Sequence, residues 1–408
     1  MSDSLSTVAA EEVVSTANDT AGRTDALWPA VVSLSLGVFG LVTAEFLPAS
    51  LLTRIAGDLG ISDGAAGQAV TATAVVGAIA APTIAIITKN IDRRLVMWTF
   101  TLLLIVSNIL AATASGLATL LVARVILGVA LGGFWSMAGA MAMRLVPAKM
   151  MPRAMSIVFT GVSVATVCAA PVGAYIGELW GWRAAFGLAG IVGAVTLVVQ
   201  MLTIPKLPPI GSPGLSALAG LLGRPSVRMA IAATLLIASG HFAGFTYIRP
   251  FLENVPAFDV EGISLTLLAF GVAGFFGNLF GGFLIERSLK ANIGIGALVI
   301  AVMALALVTF GATDWASATA VAAWGFAFGM LPVGLQTWMV RAAPDEAESA
   351  GGLLVTAFQV AIAGGAIFGG LLVDGFGAPG AFVYAGVAML LGALLVFSLG
   401  GKALPRAV

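Results

Sequence analysis

Twelve membrane-spanning helices in two pseudo-symmetric six-helix bundles, an all-α integral membrane fold, are predicted by three observations in this sequence. Of 408 residues, 60% are hydrophobic and only 9% charged, with a mean hydropathy of +1.07, whereas a soluble domain carries about 25% charged residues. The apolar residues gather into twelve stretches, each long enough to cross about 30 Å of hydrocarbon at 1.5 Å per helical residue. The chain also repeats itself at an offset of 194 to 197 residues.

The stretches run over 28–52, 65–88, 95–114, 118–142, 154–177, 184–204, 229–252, 263–285, 291–311, 316–340, 349–373 and 380–400. All read as helices, because open strands would leave backbone groups unpaired in lipid and the alternating pattern of a barrel is absent. Residues 1–27 are polar and lack the basic, apolar, small-residue order of a signal peptide, which predicts a disordered tail. The first bundle is expected over 28–204 and the second over 229–400, followed by a short tail at 401–408. Pro205, Pro208, Pro209, Pro213 and Pro225 mark 205–228 as the linker between them.

The repeat is carried by particular residues. Gly77 precedes Asp92 by 15 positions as Gly271 precedes Glu286, and Glu178, Gly181 and Phe186 return as Asp374, Gly377 and Phe382. Fifteen of the nineteen Lys and Arg fall on one set of loops and tails, Arg54, Arg183 and Arg249 on the other set or at its edge, and Arg124 within a span. The excess of positive charge predicts that the first side, with both termini, is cytoplasmic.

Composition excludes several kinds of function. The basic residues are dispersed in short clusters, which argues against nucleic acid. One cysteine, Cys168, and one histidine, His241, supply neither a disulfide framework nor a metal cluster, and a nucleophilic or metal-dependent enzyme site has too few converging groups. No Gly-x4-Gly-Lys-Ser/Thr loop is present, so an energy source would be an ion gradient rather than ATP bound by this chain. No cofactor is expected beyond that gradient.

Two charges stand inside apolar spans, Glu45 in the first and Arg124 in the fourth. An ionised group at membrane depth costs about 2.5 to 3.5 kcal/mol on insertion scales, so one that persists faces a partner, a substrate or a water-filled path. Both lie at about 10 Å from the same surface. Gly128 and Gly132 recur as Gly325 and Gly329, but Arg124 maps onto Val321 and has no counterpart. A residue kept for packing symmetry should appear twice. The expected reading is that Glu45 carries a proton while Arg124 holds its carboxylate ionised until a proton arrives; the alternative is a static pair tying two helices together.

His241, in the seventh span, suits either proton relay or donation to a polar group of a bound solute. Trp135 and Trp324 offer flat faces on which a planar solute would stack. Tyr247 and Arg249 are further binding candidates, with snorkelling to the surface as the plainer account of Arg249. Gln359, near midplane, is the favoured amide for pairing with a polar solute.

Arg124-x3-Gly128-x3-Gly132-Gly133, Asp92-Arg93-Arg94 and Pro171-x-Gly173-x3-Gly177 resemble motifs of the major facilitator superfamily, in its twelve-span drug:proton antiporter branch. Glu45-Phe-Leu-Pro48, Leu131-Gly-Gly-Phe-Trp135, Gly177-Glu-Leu-x-Gly-Trp-Arg183, Phe245-Thr-Tyr-Ile-Arg-Pro250 and Leu331-Pro-Val-Gly334 look most like the purine ribonucleoside efflux pumps of that branch. Thr88 and Leu95 stand where the superfamily pattern has glycine. The resemblance implies proton-coupled export of a small polar solute from a bacterial cell by a monomer in the inner membrane, with purine ribonucleosides such as inosine or guanosine as cargo. It also implies that Asp92, Arg93 and Arg94 form a gating loop. Export of an arabinose-like sugar or a chloramphenicol-like drug is the alternative cargo, and a membrane sensor that binds without transporting is the alternative of another kind.

Overall fold

The computed structural model describes residues 26–147, 150–209 and 220–398. Nearly all of the tail expected over 1–27, the tail over 401–408 and positions 210–219 of the expected linker lie outside the described residues. The first half contains α1 (Trp28–Leu59), α2 (Asp63–Ile87), α3 (Arg93–Ala112), α4 (Leu117–Leu145), α5 (Met151–Trp180) and α6 (Trp182–Thr203). The second contains α7 (Pro225–Thr246), α8 (Ile248–Asn254), α9 (Val260–Arg287), α10 (Leu289–Phe310), α11 (Asp314–Ala342), α12 (Ala347–Phe376) and α13 (Pro379–Ser398). Twelve of these helices are long and apolar enough to cross a membrane, and the chain is a multi-pass membrane protein. Exposed side chains such as Leu102, Ile109, Ile191, Leu279 and Leu298 form an apolar outer surface suited to lipid.

The seventh span differs from its expected outline. It starts at Pro225, not 229, because proline at the first helical position has its φ already set and no amide to leave unpaired. It then breaks at Tyr247 into α7 and the short α8.

Helix boundaries follow local chemistry. Asp92 caps α3 by accepting from the Arg94 amide at 2.8 Å, and Asp259 caps α9 by accepting from Gly262 at 2.8 Å. The α5–α6 and α12–α13 joins both turn on a glycine of positive φ, Gly181 at 81° and Gly377 at 78°, which is one reason these positions recur in the sequence.

Equivalent helices pack equivalently in the two halves: α1 on α5 as α7 on α12, α2 on α4 as α9 on α11, and α3 on α6 as α10 on α13. Gly128 and Gly132 bring α4 against the Thr73 and Gly77 carbonyls of α2, and Gly325 and Gly329 bring α11 against the Phe270 and Gly274 carbonyls of α9. Between halves, α2 meets α12 and α5 meets α9. The repeated pair Gly77 and Gly271 serves this second purpose, Gly77 lying under Gln359 and Gly271 against Thr166 and Val167. The bundle thus has a basic rim, where Lys89, Arg93, Arg94, Arg144 and Arg224 gather, and an opposite rim formed by the α1–α2, α8–α9 and α12–α13 turns.

Candidate functional site

Pro48 is the starting point of the site. It lies inside α1 and has no N–H, so the Ala44 carbonyl four residues earlier lacks its helical donor. Arg124 supplies one: its Nη1 donates to Ala44 O at 2.9 Å while Nε donates to Ala69 O of α2 at 3.2 Å. The guanidinium therefore joins α1, α2 and α4. Arg124 is fully buried and its Nη2 has no partner among the described residues. A buried cation needs both a counter-charge and hydrogen bonds to offset lost hydration. The counter-charge is Glu45, next in sequence to Ala44.

Among the described residues Glu45 and Arg124 make no ion-pair contact, although each lies in the other's electrostatic field. Gln359 of α12 approaches the Glu45 carboxylate from the other half. Gln359 is 4% exposed, and its Oε1 has no partner. Glu45 itself is only half-buried. Three of the residues singled out by sequence therefore converge, and the contact between Glu45 and Gln359 crosses from one half to the other. The static ion pair is not what the structure contains.

A second cluster lies beside the first. Phe46, adjacent to Glu45, has its ring 6.5 Å from Phe242 and 5.4 Å from Phe245. These surround His241, which stacks on Phe328 at 3.4 Å and 4° and faces Phe245 at 5.5 Å and 15°. Trp324 Nε1 donates to His241 Nδ1 at 3.0 Å. Trp324 is thus buried as support for the imidazole, its ring pressed against Gly244. Trp135 is elsewhere: half-buried against Phe159 at 5.9 Å, and about 16 Å along α4 from Arg124.

Tyr247 and Arg249 lie toward the opposite rim and bond to neither cluster's polar groups. Tyr247 fills a slot between Gly67 of α2 and Gly369 and Gly370 of α12, its hydroxyl donating to Ala366 O at 2.8 Å. Arg249 does not snorkel. It is fully buried because α8 turns over the seam and supplies partners: Nε meets Glu253 at 2.7 Å, and Nη1 donates to Ser50 O of α1 at 2.6 Å. Thr53 donates to the same Glu253 at 3.0 Å, and Asp374 accepts from Ser62 Oγ at 2.9 Å and from the Gly64 amide at 3.0 Å. The halves are sealed together on this rim. Replacing Asp374 with alanine removes two of these bonds; a cysteine at Ala65, in a Cys168→Ser background, should then react with an aqueous maleimide about two- to tenfold faster.

The Asp92–Arg94 loop holds the linker. The Asp92 carboxylate accepts from the Leu207 amide at 3.1 Å and the Arg93 amide donates to Leu207 O at 2.9 Å, while Arg144 Nη1 donates to Pro208 O at 2.8 Å. Thr88 has a use of its own in this place: its carbonyl and hydroxyl both receive Arg93 Nη1, at 3.1 and 3.0 Å. Arg94 lies over Trp98 at 4.8 Å. At the end of the linker, Arg224 forks onto Asp345 at 2.6 and 2.7 Å, and that hydrogen-bonded pair holds the Asp345 carboxyl down at about 2.

Sequence reasoning missed Thr53, Ser62, Glu253 and Asp374. Asp374 stood out as the repeat partner of Glu178, but Glu178 pairs with Arg54 inside the first half while Asp374 crosses between halves. No group of three or more metal-ligating side chains occurs among the described residues.

A family model described as Major Facilitator Superfamily matches residues 34–365. Purine ribonucleoside efflux pumps NepI from Salmonella enteritidis PT4 and Salmonella typhimurium LT2 are each 41% identical to the chain over 369 residues, 90% of it and 93% of theirs. Among solved structures, a D-xylose-proton symporter superposes with TM-score 0.75 at 18% identity, covering 94% of this chain and 99% of its own. A bacterial homolog of the human lysosomal transporter Spinster, inward-facing and occupied, gives 0.73 at 15% identity, covering 90% and 95%. With its twelve spans, its duplicated packing and a family match across most of its length, the chain belongs to the major facilitator superfamily.

Proposed function

We propose that this protein is a proton-coupled antiporter that exports purine ribonucleosides across a bacterial inner membrane, with its basic rim and both termini in the cytoplasm. The cargo reading is supported by the named relatives at 41% identity over nine-tenths of the chain. The coupling reading is carried by one observation: Glu45 lies in the field of a buried arginine with a spare N–H and is approached across the seam by the Gln359 side chain. A carboxylate there accepts from Gln359; a protonated Glu45 no longer needs the donor or the cation.

In the proposed cycle, protonation from outside frees Arg124 and Gln359, displaces the nucleoside outward and lets the halves rock. Opening to the cytoplasm returns the proton and restores affinity for substrate. The opposite-rim bonds at Asp374 and Arg249 define the state closed to the exterior. Energy suffices with one proton per neutral nucleoside: one charge crossing about 150 mV supplies about 3.5 kcal/mol, which sustains a ratio of several hundredfold at about 1.4 kcal/mol per decade. The protein works as a monomer in lipid, with protons and solute as its partners, no cofactor and no chemical conversion of the cargo.

The test is uptake of labelled inosine, arabinose and chloramphenicol into everted proteoliposomes under an imposed pH difference. Inosine accumulation that collapses with the gradient is expected. Accumulation of arabinose or chloramphenicol instead would reassign the cargo, and inosine binding without flux would make the protein a sensor.

A further inference from the structure

We infer that Trp324 fixes His241 as a permanent Nε2–H donor, and that this donor reads a hydrogen-bond acceptor on the edge of the transported ring. The inference rests on the purine cargo proposed above and adds a recognition residue to it. Three features carry it. Trp324 can only donate, so at 3.0 Å the His241 Nδ1 must accept, which leaves the imidazole proton on Nε2. The ring cannot turn aside, being stacked on Phe328 at 3.4 Å and facing Phe245 on its other side. Nε2 has no hydrogen-bond partner among the described residues, yet it is not among the sealed unpaired atoms, so the 1% of His241 left exposed includes this nitrogen.

The same geometry argues against a shuttle role. A proton placed on Nδ1 would face the indole N–H, donor against donor. The neighbours that stack on His241 or meet it edge-on, Phe242, Phe245, Phe270, Trp324 and Phe328, carry no charge. Phe46 and Phe328 are half-buried, so aromatic surface adjoins the donor. The group suits a flat heteroaromatic ring that stacks and presents a carbonyl or ring nitrogen at its edge. A sugar has hydroxyls for such a donor but no flat π face with an acceptor in its plane.

His241 is the chain's one histidine, so full-length protein labelled with 15N-histidine reports on this ring alone. The expected spectrum shows a protonated Nε2 and an unprotonated Nδ1, with Nε2 moving when inosine is added and the tautomers mixing in Trp324→Phe. An Nδ1–H tautomer in the parent, or an Nε2 unmoved by saturating inosine, overturns the inference. In competition assays, purine riboside (no 6-carbonyl) or 7-deazainosine (no N7) should bind the parent about 3- to 10-fold more weakly than inosine, the worth of one neutral hydrogen bond. That ratio should fall to about one in His241→Phe; a ratio unchanged in the variant, or absent from the parent, overturns it. Flux lost while the inosine-induced shift persists faults the antiport reading alone, and intact flux with an unmoved shift faults this one alone.

Discussion

Glu45→Gln abolishes pH-driven accumulation, taking the expected ratio of several hundredfold to about one, while exchange of labelled for unlabelled inosine across the membrane persists once inosine is raised to offset the lower affinity of a permanently neutral site. The amide fills the carboxyl's volume beside Gln359, so the packing survives. What disappears is the group whose charge changes. Counterflow needs only a solute-loaded carrier that can rock, whereas accumulation needs the return step tied to a proton. Gradient-driven accumulation that survives in this variant would remove Glu45 from the mechanism.

Arg124→Met is the substitution expected to cost the fold most. It orphans the Ala44 carbonyl, at a cost of about 1 to 3 kcal/mol when left buried and unpaired, takes one donor from Ala69 O, which keeps the Thr73 hydroxyl, and leaves Glu45 without a counter-charge. The sum is a loss of roughly 3 to 5 kcal/mol, the scale for breaking a buried charged network, read as a large fall in melting temperature and in monodisperse yield. Part of this is recoverable for a stated reason. Pro48→Ala restores an N–H to α1 that can reach the Ala44 carbonyl, so the double variant should recover about 1 kcal/mol relative to additivity. A strictly additive cycle would show that the Ala44 contact contributes nothing. Arg124→Lys keeps the charge but replaces the planar fork with a compact ammonium that cannot reproduce its geometry; it should fold, and transport should fall at least about tenfold.

The fold was legible because lipid leaves few choices. Twelve apolar stretches with paired glycines 194 to 197 residues apart determine helices, duplication and the α2–α4 and α9–α11 contacts. Glu45 and Arg124 were legible as lone charges in apolar runs, but their relation was not. That the guanidinium would hold two carbonyls and meet Glu45 only through space depends on Pro48, whose effect is local and readable once Arg124 is known to lie beside it. Gln359 was found as a buried amide; its partner required knowing that α12 crosses α2 at Gly77. Tyr247 and Arg249 were harder, because a break in the seventh span turned their side chains into the rim seal, and hydropathy does not register a break between two helical pieces. The linker's hold on Asp92 and Arg93 passes largely through backbone groups, which every sequence supplies.

One site, Glu45, holds either its proton or, by yielding it, a competent place for substrate. Proton release on adding inosine to the purified protein in weakly buffered detergent solution tests this most directly. The parent should release nearly one proton per bound nucleoside, at a pH where Glu45 starts protonated, and Glu45→Gln should release none. Binding without release in the parent, or equal release in the variant, would contradict it.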